Sequence, residues 1–287
     1  MQNILEIRDL GRSYVNFRLE HISLSIPGGT IMGLVGENGA GKSTTIRAAL
    51  GLIRKDAGEV LYCGEPLTTD SAAMKEQIGV VFDSICFYPE LTVEKAGKIC
   101  RKTYRNWDEA YFRELLEQFS LDPKQKIKAL SRGMSMKLSL VLAFAHRPKL
   151  LILDEPTNHL DIAMKEVIEE AMQSFTGTLL FVSHDRYLLD KVADHILELK
   201  VDGAVTYQGG FQKWLEAQQK QPEPEETPAA KTAASCLPYA KPFLHRNRRM
   251  PSAYPYVSPF LRGPAPVLYF KAVFYLSLIH ISEPTRL

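Results

Sequence analysis

One short segment, residues 36–44, constrains the fold of this chain more than any other. Its sequence, GENGAGKST, matches the pattern GxxxxGK[ST], with an apolar run before it and an amphipathic helical pattern after it. Glycines let the backbone curl so that successive N–H groups point at phosphate oxygens, and a following helix adds its positive N-terminal end. The segment therefore predicts a phosphate-binding loop between a buried strand and a helix.

Every position of this loop is a candidate contact with a nucleotide. Lys42 is expected to reach the β- and γ-phosphates of ATP, and the Ser43 hydroxyl is expected to ligate Mg²⁺. The other candidates for ATP binding are Gly36, Glu37, Asn38, Gly39, Ala40, Gly41 and Thr44.

A second candidate site follows the apolar run at residues 150–153, which ends in two carboxylates. Asp154 is placed to hold Mg²⁺ through water, and Glu155 is placed to polarise an attacking water as a general base. An Asp-Glu pair at a strand end is common on protein surfaces. Its occurrence together with a phosphate-binding loop indicates phosphoryl-transfer chemistry.

Strand and helix patterns alternate over residues 1–217, which predicts an α/β fold. Continuous apolar runs, typical of strands covered on both faces, lie at residues 31–35, 78–82, 150–153 and 179–182. We expect antiparallel strands in the first 30 residues, including a half-buried strand at 21–26, and a mainly helical region at about 88–147. Apolar residues recur at helical spacing at Ile46, Ala49, Leu50 and Ile53, at Tyr111, Leu115 and Phe119, and at Ile168, Ala171, Met172 and Phe175.

The composition changes sharply near residue 220. Eleven of the 17 prolines lie from Pro222 onward, and the segment has too little apolar surface to offset the entropy of ordering. Residues 1–217 are therefore predicted to form the compact domain, and residues 218–287 a disordered or artefactual tail. Residues 276–286, LSLIHISEPTR, resemble the conceptual translation of a sequencing adapter.

Charge, cysteines and hydropathy bound the possible classes of protein. The formal net charge of +2 argues neither for nor against a nucleic-acid partner. None of the four cysteines forms a CxxC pair, which disfavours a zinc site and suits a reducing cytosol. The sequence has no signal-peptide pattern and no apolar stretch of the ~18–20 residues that a membrane helix needs. We therefore expect a cytoplasmic protein whose membrane part, if any, is another chain.

Further motifs resemble those of ABC (ATP-binding cassette) ATPases. LSRGM at residues 130–134 is similar to the family's LSGGQ signature, His184 to its switch histidine, and Asp161 to its D-loop aspartate. Tyr14 lies where the family places an aromatic ring that stacks on adenine. The order and spacing agree across residues 1–217. The resemblance implies an ABC nucleotide-binding domain, which is a P-loop NTPase with a RecA-like core, an antiparallel β subdomain and a helical subdomain.

The resemblance also implies a mechanism, in which two cassettes stack head to tail and hydrolyse ATP with Mg²⁺. Glu155 and His184 would be catalytic. Asp83 stands where the family usually has glutamine, and is a candidate Mg²⁺ ligand beside Ser43 and Asp154. Three residues would contact ATP held by the other cassette, namely Ser131, Gly133 and Asp161.

The two parts of the domain resemble different ABC subfamilies. Through residue 157 the sequence is similar to the ATPase subunits of ABC-2-type exporters. The motifs that carry this similarity are VFD at 81–83, FYPELT at 87–92 and LSRGM at 130–134. From residue 158 the sequence is similar to ABC-F proteins, the soluble ribosome-associated ATPases. The motifs that carry this similarity are NHLD at 158–161, FVSHDRYLL at 181–189 and YQGGF at 207–211. The change falls at LILDEPT, which both subfamilies share, so a chimeric open reading frame is one interpretation and a natural subfamily with mixed features is another.

The exporter interpretation ranks first, because the surface that would meet a membrane protein lies in the exporter-like part. It predicts an ATP-hydrolysing subunit, peripheral on the inner face of the cell membrane, with a second nucleotide-binding domain and an integral-membrane permease as partners. The alternatives are an ABC-F-like translation factor bound to ribosomes and a non-functional chimera.

Overall fold

The computed structural model describes residues 2–14, 17–68, 71–82, 85, 87–158, 160–200 and 203–219. Asp83 lies outside these residues, as does the adapter-like segment at 276–286. Of residues 218–287, only 218 and 219 are described, and they are the last two residues of the final helix.

Strands and helices follow the predicted alternation. The strands are β1 Asn3–Ser13, β2 Arg18–Pro27, β3 Ile31–Val35, β4 Ala57–Tyr62, β5 Glu65–Pro66, β6 Ile78–Val81, β7 Leu150–Asp154, β8 Thr178–Val182, β9 His195–Lys200 and β10 Gly203–Gln208. The helices are α1 Lys42–Ala49, α2 Ala72–Lys75, α3 Val93–Thr103, α4 Glu109–Gln118, α5 Arg132–Phe144, α6 Ile162–Ser174, α7 Arg186–Val192 and α8 Gly210–Gln219. A short 3₁₀ turn spans Ile127–Ala129.

The strands form two sheets. Six of them lie in the order β10-β9-β3-β8-β7-β6, parallel except for β10, and every residue of β7 and β8 is buried. Four more form an antiparallel sheet in the order β2-β1-β4-β5. Three of the four predicted apolar runs form the central strands β3, β7 and β8, both of whose faces are covered, and the fourth forms the edge strand β6. The predicted antiparallel strands in the first 30 residues are also confirmed.

Helices α3, α4 and α5 form the predicted helical region. Each begins at a side chain that accepts a hydrogen bond from a first-turn amide, namely Thr92, Asp108 and Ser131. Gly97 of α3 lies so close to the Phe112 ring that a Cβ atom there would be 2.4 Å from Cζ. A residue without a side chain is therefore what lets α3 and α4 approach each other.

One helix is shorter than its pattern predicts. The apolar spacing that includes Leu50 and Ile53 would continue α1 past its observed end at Ala49. Gly51 instead adopts φ +70°, in the left-handed region that commonly ends helices. Ile53 still packs against the core from the following turn.

Within the described part of the chain, no helix has both the length and the apolar character needed to cross a bilayer.

Candidate functional site

The phosphate-loop and carboxylate motifs meet at one edge of the parallel sheet. Val182, the last residue of β8, pairs with Leu34 of β3 on one side and with Asp154 of β7 on the other. The carboxyl ends of three adjacent strands therefore lie side by side, and ligands of open α/β sheets bind at such ends. The segments that leave these strands carry the loop at residues 36–44, Glu155 and His184.

The backbone of the loop is shaped by glycines that cannot be replaced without strain. Gly36 has φ +154°, and a Cβ atom there would lie 2.6 Å from the carbonyl oxygen of Leu199. Gly41, directly before α1, has φ +95°, and its Cβ would lie 2.8 Å from Cδ1 of Leu19. The glycine spacing thus allows both the left-handed turn and the close approach of neighbouring chain.

Lys42 curls back over this loop. Its Nζ donates hydrogen bonds to the carbonyl oxygens of Gly36, at 2.8 Å, and of Glu37, at 3.0 Å. Burial lowers the pKa of the ammonium group, while the negative charges of Glu155 and Asp154 oppose this shift. A buried cation held by two neutral carbonyls can exchange them for phosphate oxygens, which are stronger acceptors.

Ser43 and Asp154 provide the oxygen atoms that a Mg²⁺ site needs. The Ser43 hydroxyl donates a 2.9 Å hydrogen bond to Oδ1 of Asp154, which is buried at the end of β7. No cluster of three or more His, Cys, Asp and Glu side chains that could hold a metal occurs among the described residues. The hydroxyl of Ser43 and the carboxylate of Asp154 are oxygen ligands of the kind that Mg²⁺ takes from proteins, together with water and substrate phosphates.

Glu155 and His184 lie on the same side of this edge. The Oε1 atom of Glu155 is 3.4 Å from Nε2 of His184. Glu155 has φ +56°, which is unusual for a residue with a side chain, and its N–H donates to the carbonyl of Val182 at 3.1 Å. Burial, and then the charge of Lys42, lower the pKa of His184, so the imidazole is neutral at pH 7. The pair can orient a water molecule without becoming an ion pair.

The signature and D-loop residues form a second group. Ser131 caps α5 by accepting from the Met134 amide at 3.2 Å, and Asp161 caps α6 by accepting from the Met164 amide at 2.8 Å. Gly133 packs on Met164, since a Cβ there would lie 2.9 Å from Cε. The structure thus brings the N-termini of two helices together. Contact of this group with ATP on a second cassette stays a prediction.

Tyr14, the predicted adenine-stacking residue, follows β1 and is 45% exposed. The Arg12 guanidinium lies over its ring, 4.9 Å from the centroid, and the Tyr14 amide donates to the carbonyl of Phe17. The sequence analysis did not single out Arg12 or Phe17, because neither belongs to a motif. Stacking on adenine stays a prediction.

Another contact that the sequence analysis missed links two helices near the site. Nζ of Lys165, in α6, lies 2.6 Å from Oδ2 of Asp185, the residue after His184. The available signal was Asp185 itself, which directly precedes a helical pattern as capping residues do. Its partner, 20 positions earlier, could not be identified from the sequence.

Comparisons with known proteins identify the family. The sequence matches the ABC transporter family over residues 19–158. The ABC transporter ATP-binding protein YtrB of Bacillus subtilis (strain 168) is 31% identical over 199 residues, which are 67% of this chain and 68% of that protein. The chain belongs to the ABC transporter ATP-binding family. The resemblance read from its motifs is therefore confirmed.

A solved structure has the same fold as this chain. The structure described as the ATP binding subunit of an ABC transporter superposes with a TM-score of 0.65 at 27% identity, and covers 71% of this chain and 90% of that one. The predicted fold class, an α/β P-loop domain with antiparallel and helical subdomains, is confirmed.

Another relative of this chain is named for a role in translation rather than in transport. The energy-dependent translational throttle protein EttA of Haemophilus influenzae is 32% identical over 222 residues, which are 76% of this chain. The chain spans only 38% of the length of that relative. Relatives named for transport and for translation thus match this chain at similar identity, so family membership alone does not assign a partner.

Proposed function

We propose that this protein binds ATP and Mg²⁺, and that it hydrolyses ATP as the energy-coupling subunit of an ABC-2-type exporter. The observation that carries the chemical part is the grouping of Lys42, Ser43, Asp154, Glu155 and His184 at the ends of adjacent parallel strands. In this proposal, the loop at residues 36–44 holds the phosphates, and Tyr14 stacks on the adenine.

The proposed role of each side chain follows from its charge and from its distance to the other site residues. Ser43 and Asp154 would hold Mg²⁺, which would neutralise phosphate charge, and Glu155 would accept a proton from the attacking water. Neutral His184, 3.4 Å from Glu155, orients that water and the γ-phosphate. The site mainly positions reactants and neutralises charge, which is what phosphoryl transfer requires.

A second nucleotide-binding domain completes the proposed site. Ser131 and Gly133 lie at the N-terminus of α5, where backbone N–H groups and the helix dipole favour an anion. Asp161 lies next to them through Met164. We propose that these three residues contact ATP bound to the loop of the other cassette, and that each cassette serves the other in the same way.

A groove supports the exporter part of the proposal. It has a volume of about 470 Å³ and is lined by the apolar side chains of Phe82, Ile85, Leu130 and Met136 together with Arg132, Ser135 and Ser139. All of these residues belong to the exporter-like part of the sequence. A permease helix with an apolar face would contact the parallel core and the helical region together, and so sense their relative position.

The second candidate function is that of an ABC-F-like translation factor. The similarity to EttA favours it, as do the motifs from residue 158 onward. In this alternative, the protein binds ribosomes, and the groove has no membrane partner. The ATP chemistry is the same in both proposals, because it uses the same residues.

Copurification separates the two candidates. The exporter proposal predicts that the full chain sediments with membranes carrying an ABC-2-type permease, and that Ile85→Asp releases it by placing a charge in the groove. Val205→Asp is the matched control, because Val205 is an exposed apolar residue of β10 outside the groove. Sedimentation with ribosomes, unaffected by Ile85→Asp, would replace the exporter proposal with the translation-factor proposal.

The domain organisation carries a related proposal. We propose that residues 1–217 form the cassette, and that the join at residues 157–158 and the adapter-like end result from two genes having been joined by error during sequence assembly. One uninterrupted DNA read of the source gene, from the Lys42 codon past the Leu287 codon, tests this. If the join and the adapter-like end occur in one DNA molecule, the hybrid gene is real and the assembly error is refuted. A read that diverges after codon 157 would support the assembly error.

A further inference from the structure

A short ion pair connects the two helices that flank the switch histidine. Lys165 Nζ lies 2.6 Å from Asp185 Oδ2, and the two side chains are partly buried, with exposed fractions of 33% and 23%. Lys165 is one turn into α6, and its backbone N–H donates to the carbonyl of Asp161 at 3.0 Å. Asp185 directly follows His184. The pair therefore joins the start of α6, which directly follows Asp161, to residues 183–185 between β8 and α7, here called the switch loop.

Asp185 makes several hydrogen bonds besides its ion pair with Lys165. Its Oδ1 accepts hydrogen bonds from the amides of Tyr187, at 3.1 Å, and Leu188, at 3.4 Å. Its own N–H donates to the buried hydroxyl of Ser183 at 3.0 Å. Burial by itself would raise the pKa of Asp185, but the Lys165 hydrogen bond and the two amides outweigh it and lower the pKa. His184 thus lies between two residues, Ser183 and Asp185, that are hydrogen-bonded to each other.

A second ion pair joins the same helices without touching the switch loop. Nζ of Lys191, at the far end of α7, lies 2.7 Å from Oε2 of Glu169 in α6. Glu169 is only 3% exposed, so this pair compensates a buried charge. It holds α6 against α7 as the first pair does. Lys191 also lies over the ring of Tyr187, 5.3 Å from its centroid, but the pair contacts neither His184 nor Asp161. The two pairs can therefore be compared directly.

We propose that Lys165 is a positioning residue for ATP hydrolysis, because its ion pair with Asp185 makes Asp161 and His184 move as one unit. A second cassette that engages Asp161 then also sets His184 at its place beside Glu155. Lys165 touches no reacting atom in this scheme. The proposal rests on the roles proposed above for Glu155, His184 and Asp161, and on no particular membrane partner.

The substitution Lys165→Met tests the proposal, since it keeps the aliphatic stem and removes the charge. Misplacing a catalytic group by a fraction of an ångström costs rate rather than nucleotide affinity, so we expect kcat to fall about tenfold and KM to change less than about twofold. Lys165→Arg keeps the positive charge within reach of Asp185 and is expected to recover most of kcat. Asp185→Asn keeps a capping side chain and is expected to match Lys165→Met, with no further loss in the double variant.

The control is Lys191→Met, measured on the same full-length chain. It leaves Glu169 buried without its cation, so its melting temperature is expected to fall at least as far as that of Lys165→Met while its kcat stays at the wild-type value. Wild-type kcat in Lys165→Met, or equal losses of kcat in the two variants, would overturn the positioning role. Glu155→Gln in the same assay tests the proposed site separately, and the rates are measured without a membrane protein, so the exporter assignment does not enter them.

Discussion

Nε2 of His184 lies 3.4 Å from Oε1 of Glu155, although the two residues are 29 positions apart in the sequence. The approach follows from the parallel pairing of β7 with β8, in which Asp154 lies opposite Val182. Each of the two side chains belongs to the segment that leaves its strand. The short distance places a carboxylate and a neutral imidazole where both can contact one water molecule.

Protonation of His184 is expected to slow turnover. Burial and the charge of Lys42 lower its pKa below the ordinary value of 6.5, so the neutral form persists to lower pH than in an ordinary histidine. A protonated His184 would instead pair with Glu155 and hold it away from water. We expect kcat to be constant near pH 7 and to decline only below pH 6.5, and this decline to be absent from the residual activity of His184→Gln. A midpoint above 6.5 would contradict the account.

Removal of the Ser43 hydroxyl is expected to weaken the metal site. The hydroxyl belongs to the loop, donates to Asp154 and is an oxygen that can ligate Mg²⁺. In Ser43→Ala we expect the Mg²⁺ concentration for half-maximal activity to rise about tenfold, as when a metal-site residue is lost. Ser139→Ala is the matched control, since that hydroxyl only donates to the carbonyl of Ser135 within α5. Equal Mg²⁺ dependence in the two variants would refute the role of Ser43.

The buried His146 is expected to make stability depend on pH. Its ring stacks on Tyr104 at 4.1 Å, and burial lowers its pKa to about 4, although hydrogen bonds to the backbone of Leu142 and Ile78 oppose the shift. The unfolded chain therefore binds a proton between pH 4 and 6.5 that the folded chain does not. Stability is fully present above pH 6.5 and is lost as the pH falls toward 4, by up to about 3 kcal/mol.

Urea unfolding at a series of pH values measures this dependence. In His146→Phe the aromatic stacking on Tyr104 is retained and the titrating group is removed, so the contribution between pH 4 and 6.5 is expected to disappear. An unchanged pH dependence in this variant would show that other groups cause it.

The sequence predicted the central strands well, and the physical reason is their burial. Strands β3, β7 and β8 lie inside a covered parallel sheet, so their sequences are continuous apolar runs that end where polar site residues begin. The loop at residues 36–44 was predictable because few sequences can form its turn. In the structure, Gly36, Gly39 and Gly41 have positive φ angles, and Lys42 donates a hydrogen bond back to the carbonyl oxygen of Gly36.

Tertiary contacts were not predictable in the same way. The order β3-β8-β7, which brings Glu155 to His184, depends on which strands pair, and apolar runs do not specify pairing. The end of α1 was misplaced because the core-facing spacing continues through Ile53 after the helix has stopped at Gly51. The Lys165–Asp185 pair joins residues of two helices, and only the folded chain reveals it.

The central claim is that Glu155 activates the water that cleaves ATP, and one measurement tests it most directly. Steady-state ATP turnover and ATP binding are compared in wild-type protein and Glu155→Gln, which keeps the shape of the side chain but cannot accept the proton. The account predicts unchanged ATP affinity and a fall in kcat of about 10²–10⁴-fold, the usual contribution of a general base. Turnover of Glu155→Gln at the wild-type rate would contradict it.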